Sequence, residues 1–144
     1  MNILFALIVT FFLFSSGEKQ IVNDNEHIKL EVRYPEKISI AKMGEIAFSF
    51  EPIDGIHVNT NPQFELKLEK NSPFEVIGKT RFQKNEKEYL DIKKPVEFSL
   101  KAKSGTKAGK QSLKGKLNYF YCSDKDGWCN RFSQAIDLSI EVIP

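Results

Sequence analysis

Residues 117–142 read LNYFYCSDKDGWCNRFSQAIDLSIEV, and their apolar positions recur with a period of two. At the far end Ile136, Leu138, Ile140 and Val142 alternate with Asp137, Ser139 and Glu141. At the near end Leu117, Tyr119 and Tyr121 form one stripe, with Asn118, Phe120 and Cys122 between them. Successive side chains of a strand point to opposite faces, so this alternation marks strands with one dry face and one wet face. Asp126-Gly127 between the halves is a turn signal. The stretch therefore reads as two strands joined by a short loop.

The same period runs outward through the chain. It appears in Ile28, Leu30, Val32 and Tyr34, in Ile46, Phe48 and Phe50, in Phe64, Leu66 and Leu68, and in Val96, Phe98, Leu100 and Ala102. Shorter pieces at 56–58 and 74–77 could add strands. Turn signals at Tyr34-Pro35, Pro52 to Gly55, Asn61-Pro62, Ser72-Pro73 and Ser104-Gly105 separate these runs. No segment shows an amphipathic helix. Short alternating strands at this spacing predict an all-β fold, a β-sandwich, rather than a parallel sheet whose strands are apolar on both faces. The least regular stretch, Gly78 to Lys94, reads as a long loop or a loop flanked by short strands.

The chain has 144 residues and a mass of 16.5 kDa, enough for one domain. Its 21 Lys plus Arg against 19 Asp plus Glu leave a net charge of +2, which gives no argument for a nucleic-acid partner. Ile3 to Phe14 is apolar except for Thr10, and Ser15, Ser16 and Gly17 follow. That run is shorter than the ~20 residues a membrane span needs and has the pattern of a secretory signal. Residues 1–17 are thus expected to be a signal peptide. Residues 18–144 are expected to be a soluble domain in the periplasm or secreted, without membrane insertion after cleavage.

Cys122 and Cys129 are the two cysteines, with six residues between them. The spacing suits a disulfide across the base of the hairpin, which an exported protein can keep. Strand parity places Leu117, Tyr119 and Tyr121 inward and Cys122 outward, with Phe120 on the same outer face as a possible shield. Three readings stay open: a structural staple, a redox-active pair, and metal ligation, for which two thiols without further ligands make a poor zinc site. Trp128, next to Cys129, either docks a partner or packs over the loop.

Tyr119-Phe120-Tyr121-Cys122, then Cys129, then a final alternating strand resembles the N-terminal domain of the thiol:disulfide interchange protein DsbD, the disulfide bond corrector family. Gly55-Ile56-His57-Val58-Asn59, Pro95 to Leu100, Gly105 to Gly109 and Leu113 to Leu117 resemble further parts of that domain. The resemblance implies an immunoglobulin-like β-sandwich in the periplasm. It implies that Cys122 and Cys129 alternate between disulfide and dithiol, with Cys129 attacking and Cys122 resolving. Partners would be a membrane-embedded electron donor and periplasmic thioredoxin-like proteins, with no cofactor. A cap loop within Gly78 to Tyr89 would shield the sulfurs, with Phe82 as its aromatic. Lys79, Thr80 and Arg81 stand where that family has an acidic pair, and Asn130-Arg131 stands where it has a proline. No transmembrane or thioredoxin domain follows in the sequence, so transfer would need other chains. The alternative is a secreted immunoglobulin-like binding or chaperone-like module with a purely structural disulfide.

Other features are weaker. His57, between Ile56 and Val58, is either a hydrogen-bonded residue at the sandwich edge or a group tuning the cysteines. His27 is expected to face solvent. Six lysines between Lys101 and Lys116 suggest a basic patch, either a solvated surface or a site for an acidic protein partner. The Gly105 to Lys110 run lacks phosphate-loop spacing, and the Asp124-Lys125-Asp126-Gly127 run lacks the later ligands of a calcium loop.

Overall fold

The computed structural model describes residues 17–144. The expected signal segment therefore lies outside the described residues, apart from Gly17. The described residues form ten strands in two sheets. The first sheet holds β1 (Glu18–Asn25), β2 (Ile28–Tyr34), β4 (Met43–Pro52), β8 (Val96–Ala102) and β7 (Phe74–Arg81), in the order β1-β2-β4-β8-β7. The second holds β3 (Lys37–Ser39), β10 (Cys129–Ile143), β9 (Gly109–Ser123) and β5 (Ile56–Val58), in that order, while β6 (Glu65–Leu68) pairs with β9 beside β5. All described pairings between strands are antiparallel except β3 with β10. The chain is thus all-β and broadly sandwich-like.

The alternating residues meet in the space between the sheets. Ile28, Leu30 and Val32 of β2, Ile46, Phe48 and Phe50 of β4, and Val96, Phe98 and Leu100 of β8 are all buried. Leu113, Leu117, Tyr119 and Tyr121 of β9 and Ile136, Leu138, Ile140 and Val142 of β10 face them from the second sheet. Phe50 and Tyr119 meet edge to face with ring centres 5.0 Å apart. Such edge-to-face contacts set the positive rim of one ring on the negative face of another.

The irregular stretch is more ordered than its sequence predicts. β7 runs on through Gly78, whose φ of 74° suits glycine, to Arg81. A small hairpin follows, closed by Asn85 N–H donating to Tyr89 O at 2.8 Å and Asp91 N–H donating to Gln83 O at 2.9 Å. Leu90 N–H donates to Val58 O at 2.9 Å, and the Leu90 side chain enters the core. Gln83 to Asp91 is therefore a flap fastened across β5.

Tyr119 is 1% exposed and accepts a hydrogen bond from Asn25 Nδ2 at 3.0 Å. Burial pushes its phenol from 10.0 up to about 12, against a smaller opposing effect of the Asn25 hydrogen bond. The unfolded chain loses this proton first as pH rises. The associated stability is therefore complete below about pH 10 and is lost as pH rises toward about 12. Urea midpoints measured across that window should fall steeply for the native protein and less steeply for Tyr119→Phe. Equal slopes would show that this phenol does not couple to folding.

Candidate functional site

The site is built on the end of the β9–β10 hairpin. The two strands stay in register from Gly109 opposite Val142 to Cys122 opposite Cys129, so the turn beyond them is held by a long ladder. Cys122 and Cys129 form a disulfide. Beyond it Ser123 N–H donates to Trp128 O at 2.9 Å, Gly127 N–H to Ser123 O at 3.0 Å, and Asp126 N–H to Ser123 Oγ at 3.1 Å. Gly127 takes a φ of 72°, which the tight turn requires. The sulfur bridge thus closes a turn that the backbone also fastens.

On its other side β9 pairs with β5, and His57 lies directly opposite Cys122. Directly opposed residues share a face. Asp124 N–H donates to Gly55 O at 2.8 Å, which swings the start of the turn over β5. There the Asp124 carboxylate and His57 Nδ1 share a hydrogen bond. The His57 ring lies flat on Tyr89 of the flap, with ring centres 3.6 Å apart and planes 10° apart. Asn59 Nδ2 donates to Cys122 Sγ at 3.0 Å. Cys122 is accordingly 7% exposed, whereas Cys129 is exposed.

These contacts make one wall of an open groove of 660 Å³. His57, Tyr89 and Asp124 line it together with charged residues of both signs, Lys84, Glu86 and Lys87 from the flap and Lys93 just beyond it. Backbone bonds hold the flap, and aromatic stacking joins it to His57 of β5, whose hydrogen bond with Asp124 reaches the turn. The arrangement suits recognition of polar or charged groups, because a groove with placed donors and acceptors gives orientation more than apolar burial.

The remaining expected residues are spread around this end. Phe120 shares the outer face with Cys122, half-buried, opposite Arg131. Phe82 packs edge-on against Phe64 at 5.4 Å and borders a separate hollow with Pro95 and Glu97. The aromatic beside the cysteine hairpin is instead Tyr89, which nothing in its irregular stretch singles out. Trp128 lies against Tyr121 at 5.8 Å and against His27 at 5.1 Å, closing the end of the core. His27 is therefore half-buried between aromatics rather than solvent-facing, since its backbone N–H is drawn to Asn25 Oδ1 at 2.9 Å. The lysines between 101 and 116 do not form one patch. Lys101 belongs to β8 in the first sheet, whereas Lys110, Lys114 and Lys116 belong to β9 in the second.

No protein-family model matches the chain, and no curated protein matches it. Among solved structures it is similar to the crystal structure of the yeast GGA1 GAE domain, with a TM-score of 0.48 and 16% identity, over 84% of this chain and 98% of that one. The resemblance to the N-terminal domain of DsbD is corrected by these findings. No match to the disulfide bond corrector family, among family models or curated proteins, supports it. The physical reason lies in the motif itself. Alternating aromatics, a polar turn and two cysteines opposite each other are what a β-hairpin with a cross-strand staple carries in any lineage.

Proposed function

We propose that this chain is an exported immunoglobulin-like binding module with a structural disulfide, and that it recognises a polar segment of another protein in the groove beside Tyr89. The strand order favours the immunoglobulin-like reading. β2-β4-β8-β7 over β5/β6-β9-β10 follows the A-B-E-D over C-F-G order of a constant-type domain. In variable domains built on the same kind of sandwich, loops gathered at one end carry recognition. The apolar segment ending near Phe14 supports export, and an oxidising compartment would keep the bridge closed.

One observation carries the reading. The turn closed by Cys122–Cys129 presents Asp124 to His57, and His57 supports Tyr89, so the disulfide is part of the frame beneath the groove. Closing so short a loop contributes about 2.5 kcal/mol through the unfolded chain.

Redox titration of the oxidised protein against dithiothreitol, with free thiols read by alkylation and mass, tests this. A structural bridge should show a potential below about −300 mV. The Cys122→Ala/Cys129→Ala variant should lose about 2.5 kcal/mol of stability. A potential between about −180 and −270 mV, with no loss of stability on reduction, would favour thiol–disulfide exchange instead. Exposed Cys129 is where an external thiolate would then attack. Chemical-shift mapping with short charged peptides should in turn move the signals of Tyr89, His57 and Lys84. Shifts confined to other surfaces would remove the groove from the proposal.

A further inference from the structure

One edge of the second sheet is open along most of β10. β3 pairs with Glu141, Val142 and Ile143 alone, so from Cys129 to Ser139 the strand has β9 on one side and no paired strand on the other. The phase of the ladder decides which backbone groups face outward. Ser123 N–H bonds to Trp128 O within the hairpin, while Glu141 N–H turns away from β9 to Glu36 O. By the alternation of an antiparallel ladder, Arg131, Ser133, Ala135, Asp137 and Ser139 also direct N–H and C=O to the open side. All five side chains are exposed.

Natural edges are blunted by bulges, by proline, by brevity or by charged side chains, lysine above all. From 129 to 139 this stretch carries only two charges of opposite sign, Arg131 and Asp137. Its register with β9 is unbroken from 129 to 142, and 129–139 holds no proline and no lysine. Ser133 and Ala135 at its middle are small enough for another backbone to come close. β1 reaches β10 on the core side, where Gln134 Nε2 donates to Asp24 Oδ2 at 2.7 Å.

We propose that this edge pairs antiparallel with the same edge of a second copy, about a two-fold axis at Gln134, so that two second sheets become one continuous sheet. The charges select this partner and this register. An axis at Gln134 sets Ser133 opposite the partner's Ala135 and Arg131 opposite the partner's Asp137, and symmetry repeats each pair. Opposite charges placed directly across a ladder favour pairing, and like charges oppose it. Among the described residues neither Arg131 nor Asp137 is in an ion pair, although Asp137 faces Lys114 across β9. Moving the axis to Ala135 sets Arg131 against Ser139 and forfeits the match. The surface is separate from the groove and does not depend on what the groove binds.

Sedimentation equilibrium of the protein over a range of concentrations provides the test. The native chain should show a monomer–dimer equilibrium. Asp137→Arg sets like charges together twice and should weaken dimerisation by about tenfold or more. Arg131→Asp/Asp137→Arg restores opposite charges and should recover it. Both positions are exposed, so thermal unfolding of the monomers should be nearly unchanged, which separates lost pairing from lost folding. A native chain that stays monomeric up to its solubility limit overturns the proposal. So does a dimer indifferent to Asp137→Arg, or a double variant that stays weak. A monomer whose β10 amides are protected instead by an added extended peptide would give the edge to another partner and overturn the second-copy reading.

Discussion

Tyr119→Ala should lower the unfolding free energy by about 4 kcal/mol, within the range for removing a buried aromatic side chain. The ring is surrounded by Phe50, Tyr121 and Phe132, so little can collapse into the space it leaves. The substitution also strips Asn25 Nδ2 of its acceptor inside the core. An orphaned buried donor costs about 1–3 kcal/mol. The damage should travel toward the groove end. Asn25 Oδ1 holds His27 N–H, and the His27 ring lies against Trp128. Trp128 is the single tryptophan of the chain, so its fluorescence reports this end without interference. Urea unfolding should show the lower midpoint, and emission before the transition should shift to the red. A loss below about 1 kcal/mol would mean that this end of the core repacks freely.

Gly115→Ala should be the second most damaging of the substitutions considered, at about 3 kcal/mol, the upper part of the overpacking range. A Cβ at this position would lie 2.4 Å from Lys67 O and 2.9 Å from Leu68 Cα. Both are backbone atoms, so no side-chain rotation relieves the clash and β6 must move off β9. The methyl group should therefore speed hydrogen exchange at the β6 amides while leaving the His57–Tyr89 stack intact, since β5 pairs with a different part of β9. Unchanged exchange in β6 with native stability would show that the two backbones are farther apart than these contacts require.

The parts of the fold legible from sequence are those whose apolar residues alternate without interruption. Ile28 to Val32, Ile46 to Phe50 and Val96 to Ala102 are strands facing the core as their period predicts. The long hairpin is less visible because pairing, not pattern, extends it. In β10 the inward position 134 is Gln, 1% exposed, satisfied by Asp24 and by Ala135 O. In β9 the Gly109–Lys116 half offers only Leu113 to the core. β1 shows no period at all, since Ile21 and Val22 are adjacent. At the site, the cysteine pair is a local feature and reads directly. The contact of His57 with Asp124 spans 67 residues, and its stacking on Tyr89 depends on where the flap folds, so neither leaves a local signature.

The flap has a consequence for how this surface can change over generations. Its hydrogen-bonded attachment uses its own main-chain groups: Leu90 N–H donates to Val58 O and Glu88 O accepts from Thr60 Oγ1, while Asp91 N–H on Gln83 O closes the flap itself. Asn85 adds a local clasp by accepting from Lys87 N–H and Tyr89 N–H. Main-chain bonds are indifferent to side-chain identity. Glu86 and Lys87 at the tip can therefore be exchanged for other residues without loosening the attachment. Selection could thus redraw what the groove accepts while leaving the machinery of folding alone.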